Sequence, residues 1–167
     1  MRFLPSAEQR DFASSLADLL AAADTPSVIR SWSAGDPGPG RKLWSRLAEQ
    51  GVLALNLPEE HGGFGATSVD VVLAFEQLGR AAVPGPYVES VAVLPALLAA
   101  TSEAGRLGAM GTGEVMATLA LAPHTPFALD AAAADLAYVV AGATLSTARV
   151  TGAAESVDAA RLLAEVA

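Results

Sequence analysis

The side chains able to do acid–base, nucleophilic or metal chemistry are few. His61 and His124 are the only histidines, and neither has a second ligand at H-x-x-x-H or similar spacing, so no metal site is expected. The chain has no cysteine, which excludes thiolate nucleophiles, disulfides and cysteine-held metals. Pro58-Glu59-Glu60 sets two carboxylates side by side, in a segment where a solvated turn accounts for them. Glu76 is more informative. It lies at i+3 from Leu73 and i+4 from Val72, which predicts a place on the apolar face of its helix. A carboxylate there must be paired, neutral or at the edge of a cavity. Arg80 at i+4 offers an ion pair; a place in a substrate pocket is the other reading. Gly62, Gly63 and Gly65 read G-G-x-G, which is neither G-x-G-x-x-G nor a P-loop with its lysine. No G-x-S-x-G is present. Residue types alone therefore name no catalytic residue.

The elements that must position these groups change character near Gly113. Ser6 and Gln9 have capping-box spacing, and Phe12, Leu16, Leu19 and Leu20 follow at helical period. Thr25-Pro26 predicts the end of that helix near Asp24, and S-A-G-D-P-G-P-G predicts a loop over 31–40. Leu43, Trp44, Leu47 and Ala48 predict a second helix closed by Gly51. Thr67 or Ser68 caps a third, whose predicted apolar face is Val69, Val72, Leu73, Leu78 and Ala82. Pro86 opens a fourth helical stretch to Ala100, bent or split at Pro95, and Ser102 caps a last short helix. Beyond Gly113 the runs 115–121 and 136–141 have strand length, 143–150 is a weaker strand, and 158–167 reads as helix or strand. The fold class is α+β: an all-α helical bundle over 1–113, then a small, reduced β-strand region over 114–167.

Composition narrows the partners. Of 167 residues, 52% are hydrophobic and 17% charged, enough to bury a core. A net charge of −8 argues against nucleic acid and anionic membrane surfaces. The opening M-R-F-L-P-S-A-E-Q-R has no apolar signal region, and the longest apolar run, 91–100, contains Pro95 and is too short to span a bilayer. A soluble, cytoplasmic protein is expected.

The stretch L-W-S-R-L-A-E-Q-G-V-L-A-L-N-L-P-E-E-H-G-G-F-G-A-T, followed by E-Q-L-G-R, resembles the N-terminal region of acyl-CoA dehydrogenases. The same order occurs there: a helix ending in glycine, an apolar turn, P-E-x-x-G-G-x-G, and a helix with E-x-L-G. P-G-P-Y-V-E-S resembles the branch found in bacterial catabolism of sterols and other bulky substrates, where dehydrogenases are often built from two different subunits. Gly113-Glu114 and A-T-L-A-L resemble the entry into the family's flavin-holding β-domain. The resemblance implies FAD as cofactor and an acyl-CoA as substrate. It further implies a homo- or hetero-oligomer with another acyl-CoA dehydrogenase subunit.

Carried over by position, Leu121-Ala122-Pro123 stands where relatives have T-E-P, whose threonine meets the flavin. Phe127 takes an aromatic place, Leu129 a hydroxyl place and Asp130 an Asn/Asp place near the isoalloxazine. The cofactor-binding positions are thus Leu121, Ala122, Phe127 and Leu129, with both hydroxyls replaced by carbon. Only His124, Thr125 and Pro126 separate Pro123 from Phe127, where the family has a substrate loop and two strands. R-L-L-A-E-V-A resembles the close of the β-domain. The family's C-terminal four-helix domain, which carries the glutamate that removes the α-proton, has no counterpart in the sequence. The function implied is FAD-dependent α,β-dehydrogenation of an acyl-CoA thioester, bulky or sterol-derived, with a partner chain needed for catalysis. A non-catalytic assembly module derived from such an enzyme, or a shortened dehydrogenase without an independent role, are the other readings.

Overall fold

The computed structural model describes residues 4–167; the first three residues of the stretch read for a signal lie outside the described residues. Helix α1 (Ala7–Ala21) starts at a complete capping box. The Gln9 amide donates to Ser6 Oγ at 3.2 Å and the Ser6 amide to Gln9 Oε1 at 3.0 Å, so two otherwise unpaired first-turn amides are satisfied reciprocally. Helix α2 (Thr25–Ser33) follows at once, with Asp24 as its N-cap and Pro26 in its first turn. The expected loop over 31–40 is overturned. Proline lacks only an N–H that a first turn cannot use, so Thr25-Pro26 begins a helix here instead of only ending one. The Gly/Pro-rich link shrinks to residues 34–37, because α3 already begins at Gly38 (Gly38–Glu49). Gly51 beyond it is left-handed (φ 79°).

Helix α4 (Ser68–Arg80) has Thr67 as N-cap, whose amide donates to Asp70 Oδ2 at 2.7 Å. Its inward face is Ala74 and Leu78, with Val71 and Phe75 packed beside them. The predicted face is corrected: Val69 and Val72 are 48% and 64% exposed. The helix carries two apolar stripes, and periodicity does not say which one packs on α1. A π-helical segment (Val88–Val93) runs into α5 (Leu94–Leu98), so the change of helix type falls beside Pro95. Thr101, rather than Ser102, caps a 3₁₀ turn (Ser102–Arg106), and α6 (Leu107–Gly111) closes the helical part.

Six strands follow: β1 (Ala117–Ala122), β2 (Phe127–Leu129), β3 (Leu136–Ala141), β4 (Thr144–Ala148), β5 (Val150–Ala154) and β6 (Leu163–Val166). They form two three-stranded sheets, ordered β1-β3-β4 and β2-β6-β5. β1 and β3 are parallel, and the other pairs are antiparallel. The segment 158–167, left open between helix and strand, ends in β6; β5 was not anticipated.

The two parts share a core. Met116 and Ala133 are buried with Leu16, Trp32, Trp44, Leu47 and Leu78 of the bundle. A second cluster joins Leu94, Leu98, Leu107 and Met110 to Leu119 and Tyr138 of the strands. Polar stitches fix the seam: Arg41 pairs with Asp135 at 2.7 Å and donates to the Ala133 carbonyl at 2.6 Å. Ser90 Oγ donates to the Ala117 carbonyl at 2.5 Å.

Two helical glycines separate packing from propensity. A Cβ on Gly40 would stand 2.4 Å from Trp32 Cε3, whereas one on Gly79 would meet nothing within 4 Å. Trp32 is fully buried and cannot retreat. Gly40→Ala should therefore cost about 1–3 kcal/mol by overpacking, and Gly79→Ala should gain about 0.5–1 kcal/mol by helix propensity. Urea unfolding midpoints should move in opposite directions; a shared direction would contradict this packing.

Candidate functional site

A cavity of about 310 Å³ lies where the helical part meets the strands. Local sequence opens it. α4 ends at Arg80, and Ala82 is left-handed (φ 48°). V-P-G-P then leads the chain away before Tyr87 turns it into the π segment, since prolines hold φ and deny helix hydrogen bonds. Leu129 at the end of β2 and the turn residues Asp158, Ala160 and Arg161 close the opposite side. Phe75, Leu78, Val83 and Leu129 make the wall largely apolar.

Its polar groups divide into engaged and unengaged. Asp158 Oδ1 accepts from the Ala160 amide at 2.9 Å, and Arg161 donates to the Gly85 carbonyl at 3.4 Å. Tyr87 is only 5% exposed; its ring stacks on Trp44 with centroids 4.8 Å apart. Its hydroxyl and Glu89 Oε2 are buried without a hydrogen-bond partner. Burial, and then the charge of Asp130, push the Tyr87 hydroxyl far above the usual phenol range, so it stays protonated. Burial also raises Glu89, against the pull of its own backbone amide and of Arg161.

Next to Leu129, Asp130 is completely buried and left-handed (φ 55°). Its Oδ1 accepts from Trp32 Nε1 at 3.0 Å and from the Leu162 amide at 3.1 Å, while Oδ2 has no partner. Burial raises its pKa, and the Trp32 and Leu162 hydrogen bonds oppose the rise. Asp130, assigned by resemblance to a place near the isoalloxazine, is here a buried tie between α2 and the segment before β6.

Glu76 does not share a buried face. It is exposed, pairs with Arg80 at 2.5 Å, and lines neither this cavity nor a second one of about 300 Å³ between Phe12, Leu55, Phe64 and Asp70. Its predicted apolar neighbour Val72 belongs to the outward stripe. Gly63 serves its own loop: a Cβ there would fall 1.8 Å from the Leu57 carbonyl oxygen. His124, Glu59 and Glu60 are exposed and His61 half-buried. No group of three or more metal-ligating side chains occurs among the described residues.

At the positions assigned to the flavin, Leu121 and Phe127 are 39% and 37% exposed, at the end of β1 and start of β2. Ala122 and Leu129 are half-buried. These four side chains offer carbon to a flat ring and no hydrogen bond to its polar edge. The Leu121 amide and carbonyl are engaged with Thr125 at 2.8 and 2.7 Å, and the Leu129 carbonyl accepts from Thr118 Oγ1 at 2.6 Å. These side chains fit the apolar part of an isoalloxazine and not its polar edge.

Tyr87, Glu89 and Arg161 were not singled out from the sequence. A signal existed: Glu89 is the one charged residue between Arg80 and Glu103, inside an otherwise apolar stretch.

Residues 6–112 match the N-terminal domain of acyl-CoA dehydrogenases. Over 142 residues the chain is 34% identical to the acyl-CoA dehydrogenase IpdE2 of Mycobacterium tuberculosis, covering 84% of this chain and 43% of that protein. IpdE2 of Mycolicibacterium smegmatis is 30% identical over 142 residues, covering 84% and 45%. The chain thus spans less than half the length of these curated relatives. An acyl-CoA dehydrogenase from Bacillus anthracis, solved with FAD, superposes with a TM-score of 0.76 at 19% identity, over 97% of this chain and 35% of the other. The ChsE4–ChsE5 complex of Mycobacterium tuberculosis gives 0.71 at 18% identity, over 98% and 54%. These two likenesses show the fold.

Asp130 gives a test of the seam. A carboxyl whose pKa is raised by folding stabilises fully below its unfolded pKa, and that contribution is lost as pH rises through the folded pKa. Asn keeps an acceptor for Trp32, turns the unpartnered oxygen into a donor and tolerates the left-handed conformation. Asp130→Asn should therefore melt higher than the parent at neutral pH, with the gap closing on acidification. Asp130→Ala should melt lower at every pH, by about 2 kcal/mol or more, because it orphans the buried Trp32 N–H. Thermal melts across pH check both; a gap that widens on acidification would refute the assigned shift.

Proposed function

The chain belongs to the acyl-CoA dehydrogenase family, and from that premise we propose that it is the acyl-binding component of a heteromeric, cytoplasmic dehydrogenase. The reaction is α,β-dehydrogenation of a bulky or sterol-derived acyl-CoA, with FAD as the family's electron acceptor. Division of the chain at Gly113 into a helical domain and a flavin-contacting β remnant accompanies this reading. The observation that carries it is the seam cavity, with an apolar wall assembled from both parts. A module serving only assembly would not need a cleft with an apolar wall and a few convergent polar groups, whereas a ligand site does. The similarity to the ChsE4–ChsE5 complex supports the heteromeric part.

In this division of labour Phe75, Leu78, Val83 and Leu129 pack the acyl group and exclude water from it. On this proposal a partner chain supplies the carboxylate that takes the α-proton. The donors to the thioester carbonyl, which stabilise the developing enolate, come from the same source. The side chains of Leu121, Ala122, Phe127 and Leu129 give no hydrogen bond to the polar edge of the flavin, and on this proposal side-chain donors to it come from the partner too.

Tyr87 lines the cavity and stacks on Trp44, so occupancy should alter tryptophan fluorescence. A bulky acyl-CoA should change the emission saturably, and free CoA should not. Gly79 lines the cavity with open space at its Cβ, so Gly79→Leu should keep the melting temperature while weakening acyl-CoA binding about tenfold or more. Absence of any acyl-dependent change would sink the acyl-binding reading. After FAD is added and the excess removed, the chain alone should retain no flavin absorbance. Retention would show instead that the β remnant suffices without a partner.

A further inference from the structure

We propose that Glu89 and Asp130 form a proton-operated latch that holds the 82–89 segment against the strands. While the pair keeps a proton the segment is closed; ionisation of both carboxyls releases it. The inference concerns one wall of the seam cavity and does not depend on what the cavity holds. Apart from Trp44 Nε1, the buried side-chain atoms without a hydrogen-bond partner among the described residues are the Tyr87 hydroxyl, Glu89 Oε2 and Asp130 Oδ2. Tyr87 and Glu89 stand on the helical side of the seam, and Asp130 on the strand side directly after β2. The three lie within range of one another's charge, since the Asp130 carboxylate acts on both Tyr87 and Glu89.

Val83 and Tyr87 are buried, but the segment has few polar ties to the strands. Its amides bond locally, Val83 to the Leu78 carbonyl, Tyr87 to Gly85 and Ser90 to Pro86. Ala82 and Gly85 have positive φ, and Pro84 and Pro86 have no amide to give, so no regular element braces the stretch. The Ser90 hydroxyl anchors its far end on the Ala117 carbonyl. Before that anchor, Arg161 reaches the Gly85 carbonyl only at 3.4 Å. Around Glu89 stand Tyr87 from its own segment, Asp130 from the end of β2, and Asp158 and Arg161 from the turn before β6. The end of α4 brings only Phe75, Leu78 and Gly79. Asp158 is engaged with the Ala160 amide, and Arg161 is exposed. With both carboxyls ionised the seam would hold two buried like charges against one solvated cation, and desolvation penalises the ionised forms. One retained proton removes that conflict. Burial raises both carboxyls, against the pull of Arg161 on each. A carboxyl raised by folding holds the closed form below its unfolded pKa and loses that contribution as pH rises through the folded value. Opening therefore grows as the solution becomes less acidic.

Hydrogen–deuterium exchange read by mass spectrometry tests the latch on the parent, Glu89→Gln, Asp130→Asn and the double variant. After correction for intrinsic exchange, opening that releases one proton should cost the amides of 83–93 up to about tenfold in protection per pH unit. Helix α1 should keep its protection over the same range, which separates release of the segment from global unfolding. Each single variant should flatten most of the dependence, because the remaining carboxyl no longer faces a like charge. The two single effects should sum to more than the effect of the double variant, the mark of one shared interaction. Gln keeps the shape of the Glu89 side chain, so the parent and Glu89→Gln decide the matter even if Asp130→Asn folds poorly. Protection at 83–93 that ignores pH, or that falls in step with α1, would overturn the latch. An undiminished dependence in Glu89→Gln would overturn the part given to Glu89. Single effects that add up to the double would overturn the pairing.

Discussion

The carboxylate of Asp130 is the tie on which the arrangement of the two halves depends. It has no solvent contact, yet one oxygen receives the Trp32 indole from α2 and the Leu162 amide from the segment before β6. Its own amide donates to the Leu162 carbonyl at 2.6 Å. Leu129, the preceding residue, pairs with Leu163 in the second sheet. A single buried side chain thus sets where that sheet lies relative to the helical bundle. Desolvating a carboxylate is expensive, and the two hydrogen bonds offset only part of the cost; the raised pKa expresses the remainder. What such a group gives in return is one geometry. An apolar residue could fill the space, but it could not distinguish the indole edge of Trp32 from any other carbon surface.

The cavity follows from that geometry. Its β-side wall is Leu129 with residues 158–161, and its helical wall is the end of α4 with the 82–89 segment. Asp130 and Leu162 lie directly beside the first of these walls in sequence, so the tie and the cavity share a frame. Arg161 adds a second link from the β part to the Gly85 carbonyl. The core near the seam is tightly filled, as the Gly40–Trp32 approach shows, so the open space at Gly79 and Val83 reflects the path of the V-P-G-P segment rather than loose packing throughout.

Much of this was legible in the sequence, and the misses have physical reasons. The capping residues Ser6, Gln9 and Thr67 announced their helices because capping is a local hydrogen-bond rule that needs no tertiary context. Pro26 misled because proline breaks a helix interior yet suits a first turn. Val69 and Val72 misled because α4 has two apolar stripes, and the stripe that faces α1 was chosen by packing. Glu76 was drawn in by that same error. β5, V-T-G-A-A, has too little β-branched or aromatic character to stand out. The 43–80 stretch carried the family in its order of glycines, proline and acids, which is information no periodicity contains. The cavity itself was invisible. Tyr87 and Glu89 meet Leu129 and Arg161 only through the fold, and sequence spacing says nothing about a contact across so many residues.

The two candidate surfaces carry different kinds of evidence. Leu121 and Phe127 are exposed apolar side chains, a condition common on protein surfaces and cheap to maintain. They tolerate a flat ring above them without requiring one. Tyr87 and Glu89 are buried polar groups left without partners, a condition that is uncommon and costly.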